Sequence, residues 1–290
     1  MDPHNTDALV TTGWLAEHMG HPGLRIVDAS YFVPGGVAPA RDQFLDAHIP
    51  GAQFFDINAV ADSSNPKEHA FPSADVFAAR VGELGIGNGH RVIAYDHMGG
   101  ACAAARVWFL FRAFGHPQVS VLSGGRSAWL AEKRPVETGA APAAKRQRFQ
   151  ASKPLAEIRR RADMEDNIRQ KAFQVLDARA AGRFAGTAPE PRPGMRGGHI
   201  PGSQNLPFLD LFDQSTMTFK PPAQLRAIFA AAGVDLNGPL TTTCGSGISA
   251  CALALGAYLI GKIDVQIYDG SWLEWGSDAS LPIETGNARS

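Results

Sequence analysis

The chain of 290 residues repeats four short motifs in the same order. The matching stretches are RIVDAS around Asp28 and QVLDAR around Asp177, AHIPGAQFFDI from Ala47 and GHIPGSQNLPF from Gly198, VSVLSGGRSAWL from Val119 and VQIYDGSWLEWG from Val265, and VETG from Val136 and IETG from Ile283. Each pair is offset by about 145 to 151 residues. A single match arises by chance, but four in the same order indicate two copies of one fold.

Short apolar runs alternate with amphipathic segments within each copy. The predicted buried strands of the second copy are Phe173–Asp177, Leu240–Thr243 and Val265–Tyr268, and its predicted helices are Pro222–Ala232 and Ala250–Leu259. Strands that alternate with helices predict an α/β fold. We therefore expect two tandem domains, each with a mostly parallel sheet flanked by helices.

The repeat also predicts where the domains begin and end. Residues 1–140 form the first predicted domain and residues 157–290 the second. Residues 141–156 between them are rich in alanine, proline and basic residues and have no apolar period, so they are predicted to be a linker. With 44% apolar residues, the chain has enough apolar side chains for two cores.

Composition excludes several classes of protein. The chain has 27 basic and 28 acidic residues, so no excess of positive charge predicts binding to nucleic acid. The start resembles no signal peptide, and no apolar run approaches the roughly 20 residues that span a bilayer. The three cysteines, Cys102, Cys244 and Cys251, lack the spacing of a metal site and fit a reducing compartment. We therefore expect a cytoplasmic protein without nucleic-acid or membrane partners, and the sequence leaves a mitochondrial location open.

Cys244 lies where a predicted strand breaks into a glycine-rich loop before a predicted helix, and residues 244–249 are called the cysteine loop below. The carboxyl end of a central strand is where open α/β sheets bind ligands. Gly245 and Gly247 can turn backbone N–H groups inward, and the helix start adds further donors and the positive end of its dipole. Such a cup of amide donors stabilises a thiolate, which is the attacking form of cysteine.

The alternative for Cys244 is a small apolar residue that only packs. The first copy argues against this because it carries Asp96 at the equivalent position. A cysteine needed for packing is expected in both copies, whereas a catalytic cysteine is needed once. Cys244 is therefore predicted to be a nucleophile, and Cys102 and Cys251, in alanine-rich surroundings, are predicted to be inert packing residues.

Together these motifs resemble the two-domain rhodanese superfamily, and within it the 3-mercaptopyruvate sulfurtransferase family. The resemblance is carried by HIPG in both copies, DARxxGRF, EPRPG, CGSG and YDGSWLEW, and it extends from about Thr11 to Gly286. It implies two rhodanese domains, the second of them catalytic, with the site in the cleft between them. It also implies that Cys244 takes up sulfur as a persulfide and passes it to cyanide or to a thiol such as thioredoxin or a low-molecular-weight thiol. No metal or organic cofactor is expected.

The residues after Cys244 favour 3-mercaptopyruvate as the donor. Thiosulfate sulfurtransferases typically carry an arginine and a lysine there, which offset the charge of a dianion, whereas this chain has the neutral Gly245 and Ser246. The carboxylate of 3-mercaptopyruvate lies several bonds from its sulfur, so cations are expected farther away. The resemblance assigns that carboxylate to Arg183 and Arg192, and guanidinium groups suit bidentate binding of a carboxylate.

The resemblance assigns proton transfer to Ser246 and His48. The Ser246 hydroxyl, two residues after the cysteine, is placed to bind the thiolate or the carbonyl oxygen of the substrate. His48 would be the relay histidine, while His199, at the same position of the second copy, is predicted to be structural. No acid stands where the family places the relay aspartate, in PGGVAPA. The remaining residues predicted to bind substrate are Gly245, Gly247, Ile248 and Ser249.

Two alternative functions remain open at this point. One is a thiosulfate sulfurtransferase. The other is a persulfide carrier, in which Cys244 accepts sulfur from a protein partner and hands it to a docked protein. The paired arginines argue against a carrier, because a carrier needs no carboxylate site.

Overall fold

The computed structural model describes residues 6–32, 39–101 and 103–287, so Cys102 and most of the PGGVAPA stretch lie outside the described residues. The strands are β1 Leu9–Val10, β2 Leu24–Asp28, β3 Ala52–Phe54, β4 Arg91–Tyr95, β5 Val119–Leu122, β6 Ile158–Arg159, β7 Gln174–Asp177, β8 Gln204–Asn205, β9 Phe212–Asp213, β10 Thr218–Phe219, β11 Leu240–Thr243 and β12 Gln266–Tyr268. The α-helices are α1 Thr12–His18, α2 Ala40–Asp46, α3 Ala74–Glu83, α4 Ala103–Ala113, α5 Gly125–Ala131, α6 Arg161–Gln170, α7 Ala181–Ala185, α8 Pro222–Ala231, α9 Ala250–Leu259 and α10 Ser271–Trp275.

The two halves of the chain build the same five-stranded sheet. The strand order is β1-β5-β4-β2-β3 in the first half and β6-β12-β11-β7-β8 in the second. Every neighbouring pair in these sheets is parallel, and the intervening helices provide the crossovers that parallel strands require. The expected α/β fold, with two repeated domains, is therefore confirmed. The central strands, β4 and β11, occupy equivalent places in the two sheets.

The elements around the cysteine begin and end close to their predicted bounds. Strand β11 and helix α9 have the predicted bounds, while β7 and β12 start one residue late and α8 ends one residue early. Both β11 and α9 are almost wholly buried, so their apolar and β-branched runs mark their ends clearly.

Residues 139–156, all of them described, contain no helix or strand and run along the first half. The ring of Phe149 is buried and packs edge-on against the rings of Phe77 and Phe111. The backbone N–H of Ser152 donates to the carbonyl of Phe114 at 3.1 Å. This segment is therefore held by one buried aromatic side chain and by backbone hydrogen bonds, neither of which produces an apolar period in the sequence.

Helices α4 and α9, which follow the two central strands, pack against each other between the halves. Every residue of α4 is buried, as are nine of the ten residues of α9. Helix α9 is apolar on all sides and therefore needs burial on all sides, part of which α4 of the opposite half supplies. One apolar core therefore runs through both halves. None of the helices among the described residues is long and apolar enough to cross a membrane.

Candidate active site

Cys244 directly follows β11 and has only 1% of its surface exposed. Its Sγ accepts a hydrogen bond from the N–H of Gly247 at 3.1 Å and lies 3.9 Å from Oγ of Ser271. The backbone N–H of Cys244 donates to the same hydroxyl at 3.3 Å. Among the described hydrogen bonds, one amide rather than several reaches the sulfur. Fewer N–H donors than predicted therefore surround the sulfur, and the Ser271 hydroxyl lies beside it.

Two glycines shape the cysteine loop for different reasons. Gly247 has φ +89°, and a Cβ atom there would lie 2.9 Å from the carbonyl oxygen of Asp269, so a side chain is excluded both by the backbone conformation and by contact. At Gly245, a Cβ atom would lie 3.1 Å from a terminal nitrogen of Arg183. The missing side chain at Gly245 therefore lets a guanidinium group approach the loop next to Cys244.

The equivalent loop of the first half binds a negative charge. Asp96 follows β4 as Cys244 follows β11. Its carboxylate accepts hydrogen bonds from the backbone N–H groups of Met98, Gly100 and Ala104, at 2.8 to 3.0 Å. The backbone at this strand end therefore turns three N–H groups toward a carboxylate in one copy and one N–H group toward a sulfur atom in the other.

Two cations from the first half reach the cysteine loop. Arg106, on α4, donates to Oδ1 of Asp269 at 2.7 Å and to the carbonyl of Gly247 at 3.3 Å. Lys67 donates to the carbonyl of Asp269 at 2.8 Å and to that of Ser246 at 3.4 Å, and it lies 3.2 Å from Oδ2 of Asp269. The charged side chains are nearly buried, with exposures of 1% for Arg106, 9% for Lys67 and 10% for Asp269. This group is called the cation cluster below.

Burial and pairing set the charges in the cation cluster. Burial alone would raise the pKa of the Asp269 carboxyl, but Arg106 and Lys67 hold that pKa below its ordinary value. Burial lowers the pKa of the Lys67 ammonium, and the attraction of Asp269 opposes this. The aspartate is therefore ionised and bound by both cations.

His69 lies beside the cation cluster and is almost fully buried. Both of its ring nitrogens lack a hydrogen-bond partner among the described residues, and Nε2 lies 3.6 Å from a carboxylate oxygen of Glu68. Burial lowers the pKa of His69 to about 3, and the charges of Arg106 and Lys67 act in the same direction. The ring is therefore neutral near neutral pH.

The two arginines predicted to hold the substrate are each bound by a glutamate. Arg183, on α7, donates from Nε and a terminal nitrogen to one oxygen of Glu190, the shorter distance being 2.6 Å. Arg192 donates in the same way to one oxygen of Glu68, which belongs to the first half. Arg183 also lies against Gly245. One arginine is thus beside the cysteine loop, and the other lies where the two halves meet.

The other predicted residues of the cysteine loop lie on its buried side. Ser246 is 8% exposed and Ile248 6%, and Ile248 packs into the shared core. Ser249 occupies the position before α9 without a capping hydrogen bond from its side chain. No hydrogen bond between described residues joins the Ser246 hydroxyl to Cys244 or to a histidine. The roles of these residues toward a substrate stay predictions.

His48 has the same structural setting as His199. In the first half, Nδ1 of His48 donates to the carbonyl of Phe44 at 2.8 Å and the two rings stack at 3.9 Å. In the second half, Nδ1 of His199 donates to the carbonyl of Phe184 at 2.9 Å and those rings stack at 3.7 Å. No hydrogen bond, ion pair or ring contact among the described residues links His48 to the cysteine loop. The proton-transfer role of His48 stays a prediction, and this geometry does not support it.

Sequence reasoning missed all three members of the cation cluster. Two of the three have a feature in the sequence that could have identified them. In the repeat, Asp269 stands opposite Ser123, just as the loop cysteine stands opposite an aspartate, so a difference between the copies marked both. Arg106 interrupts the apolar run AAARVWFLF, where a charge needs a buried partner. Lys67 lies in a polar segment with no comparable signal.

Comparison with known proteins agrees with this architecture. The sequence model of the family described as Rhodanese-like domain matches residues 11–132 and 161–278. The chain is 45% identical to the 3-mercaptopyruvate sulfurtransferase of Homo sapiens over 278 residues, which cover 94% of this chain and 93% of the relative. It is 46% identical to the thiosulfate sulfurtransferase of Bos taurus over 277 residues, which cover 92% and 91%.

Solved structures extend the likeness to the whole fold. The crystal structure of SseA from Escherichia coli, described among 3-mercaptopyruvate sulfotransferases, superposes with a TM-score of 0.82 at 34% identity, covering 91% of this chain and 98% of that one. Tum1 from Saccharomyces cerevisiae superposes with a TM-score of 0.87 at 28% identity, covering 97% and 98%. The chain therefore belongs to the rhodanese family, with one copy of the domain in each half.

Proposed function

We propose that this chain is a 3-mercaptopyruvate sulfurtransferase, which moves sulfur through a persulfide on Cys244 to a thiol or cyanide and releases pyruvate. The observation that carries the proposal is the Arg183 guanidinium against Gly245, the residue that follows Cys244. It sets a carboxylate-binding group beside a buried thiol. Relatives named 3-mercaptopyruvate sulfurtransferase, which match nearly the whole chain, support the same donor.

In the first step, the Cys244 thiolate attacks the thiol sulfur of 3-mercaptopyruvate. A sulfur–sulfur bond forms and the carbon–sulfur bond breaks, and its electron pair leaves with the enolate of pyruvate. Arg183 and Arg192 hold the carboxylate and carbonyl end, which orients the breaking bond and offsets the charge of the enolate. The outer sulfur then releases the proton that it brought from the donor thiol, and the resulting persulfide anion stays on Cys244, whose Sγ accepts a hydrogen bond from the N–H of Gly247.

The enolate then takes up one proton to become pyruvate. We assign this transfer to Ser246 together with His69, in preference to His48. His69 is neutral and has two unpaired ring nitrogens among the described residues, so it can take a proton at one nitrogen and release one at the other. The contacts of His48 instead repeat those of His199 in the second half.

In the second step, an acceptor attacks the outer sulfur of the persulfide. A thiolate acceptor leaves as a persulfide and cyanide leaves as thiocyanate, and either reaction restores the Cys244 thiolate. We expect thioredoxin or a low-molecular-weight thiol as the acceptor, and the cytoplasm as the location. A plant relative named as mitochondrial gives a specific alternative location to test.

Thiosulfate is the second candidate donor, and one contact favours it. The ammonium of Lys67 binds the carbonyl of Ser246, so a cation from the first half stands beside a loop that is itself neutral. Relatives named thiosulfate sulfurtransferase are similar to this chain to the same degree. Turnover with the two donors at equal concentration separates the candidates. We expect 3-mercaptopyruvate to be favoured, and faster turnover of thiosulfate would contradict the proposal.

A panel of cysteine substitutions tests the nucleophile. We expect Cys244→Ser to lose pyruvate release from 3-mercaptopyruvate, because a hydroxyl at this place is not ionised. Cys251→Ser is the matched control, since Cys251 is equally buried and burial raises the pKa of its thiol to about 12, which keeps it protonated. Cys102→Ser completes the panel. Retained activity in Cys244→Ser would refute the proposed function.

A further inference from the structure

We propose that Lys67, a residue of the first half, is a positioning residue for the Cys244 nucleophile, because its ammonium fixes the peptide group whose N–H binds the sulfur. The inference rests on the proposed function and extends it. It gives the half without a catalytic cysteine a direct part in the reaction.

The inference depends on one peptide group, the one between Ser246 and Gly247. Its carbonyl oxygen accepts a hydrogen bond from Lys67 at 3.4 Å, and its N–H donates to Sγ of Cys244 at 3.1 Å. The C=O and N–H of a trans peptide are held in one plane and point in opposite directions. The cation that holds the carbonyl therefore also directs the N–H toward the sulfur.

The same contact strengthens the hydrogen bond to the sulfur. A cation on the carbonyl polarises the peptide group, and hydrogen bonds that share a peptide reinforce each other at low local dielectric. Lys67 is itself held by the carbonyl and the carboxylate of Asp269, and its side chain is only 9% exposed. Its ammonium is thus fixed in place before any substrate binds.

The charged side chains around the cysteine loop also favour a negatively charged sulfur. Four cations, Lys67, Arg106, Arg179 and Arg183, face three carboxylates, Asp177, Asp269 and Glu190, which leaves one positive charge in excess. Nearby positive charge favours a thiolate over a thiol and a persulfide anion over its protonated form. Removal of Lys67 removes this excess as well as the constraint on the peptide.

Lys67 is a better residue to change than its neighbour in the cation cluster. Arg106 is 1% exposed, and its loss would leave Asp269 short of its closest ion pair inside the protein. Lys67 lies at the wall of a cavity of about 950 Å³ between the halves, and without it Asp269 keeps the bond from Arg106. We therefore expect Lys67→Met to fold.

The experiment compares Lys67→Met with the wild-type protein in two measurements. The first is the pH dependence of alkylation of Cys244, followed by mass spectrometry of its peptide. We expect the midpoint to move upward by about one pH unit, which is the effect of losing one nearby charge of this kind. The second is steady-state kinetics, where we expect kcat to fall about tenfold and KM for 3-mercaptopyruvate to change less than about twofold, because Lys67 does not hold the carboxylate.

Two further variants serve as controls. Lys262→Met removes a lysine that is also 9% exposed and also ion-paired with an aspartate, Asp264 at 2.9 Å, but makes no contact with the cysteine loop among the described residues. It should change neither measurement. Lys67→Arg, which keeps the charge, should recover most of the lost kcat.

The outcomes separate this inference from the proposed function. If Cys244→Ser is inactive and Lys67→Met has the alkylation midpoint and kcat of the wild-type protein, the role of Lys67 is refuted while Cys244 remains the nucleophile. A lower melting temperature with an unchanged midpoint also refutes it, since a merely structural lysine would behave in this way. If Cys244→Ser is active, the proposed function fails whatever Lys67→Met does.

Discussion

Arg192, one of the two arginines proposed to hold the donor, already binds a carboxylate from the opposite half. Its partner Glu68 is 45% exposed and Arg192 is 16% exposed. An ion pair this close to solvent stabilises a protein by at most about 1 kcal/mol. A keto acid can therefore displace Glu68 at little cost, and Glu68 acts as a competitor for the carboxylate site.

This competition predicts the effect of Glu68→Gln. A neutral amide competes less well for the guanidinium, so we expect KM for 3-mercaptopyruvate to fall about two- to fivefold with kcat little changed, in steady-state assays at low salt. Glu83→Gln is the control, because Glu83 forms a surface pair with Arg80 that is similarly exposed. A KM that is unchanged or raised by Glu68→Gln would contradict the role given to this pair.

Positions at which the two copies differ indicated the candidate site better than positions at which the copies are identical. Cys244 stands opposite Asp96, and the loop after each strand binds negative charge or sulfur. The repeated histidines, His48 and His199, share one stacked and hydrogen-bonded setting. The sequence was therefore sufficient to predict the cysteine loop at the end of β11, and the roles of Cys244 and His199 stay predictions. The sequence could not reveal Lys67, since a polar loop residue that binds carbonyl groups 179 and 202 positions later leaves no local pattern.

At the scale of elements, the bounds of β11 and α9 were predictable because the strand and the helix each have a characteristic composition. The threonines of β11 are β-branched and buried, and α9 is apolar on all sides. The orientation of the peptide groups between them was not predictable in detail. Glycines permit several conformations, and contacts from Asp269 and the first half select the observed one.

Gly247→Ala tests how far the loop conformation matters. We expect kcat to fall at least about tenfold, because the new Cβ atom would lie 2.9 Å from the carbonyl of Asp269 and would shift the N–H away from the sulfur. Gly202→Ala is the matched control, since Gly202 has φ +76° but no atom within 4 Å of a Cβ atom. Both variants should lose about 1 to 2 kcal/mol of unfolding free energy to backbone strain, measured by denaturant titration. Equal kcat values for the two variants would contradict the argument.

At the scale of the whole molecule, contacts between the two halves indicate why the proposed catalytic centre needs both copies of the domain. The first half buries one face of α9 through α4. It also supplies Lys67 and Arg106 to the cysteine loop and Glu68 to Arg192. The repeat predicted the two domains, and the resemblance predicted a site between them. Which side chains cross from one half to the other depends on how the halves pack, and such long-range contacts have no periodic signature in a single sequence.

The most direct test of the account is to locate the transferred sulfur. The protein is incubated with 3-mercaptopyruvate, freed of donor, blocked with an alkylating agent and digested, and the cysteine peptides are weighed by mass spectrometry. Because no lysine or arginine separates Cys244 from Cys251, the peptide that carries both is fragmented to assign the added mass. We expect one added sulfur atom on Cys244 and none on Cys102 or Cys251, and we expect a thiol acceptor or cyanide to remove that sulfur. Sulfur on another cysteine, or turnover without any sulfur on Cys244, would contradict the account.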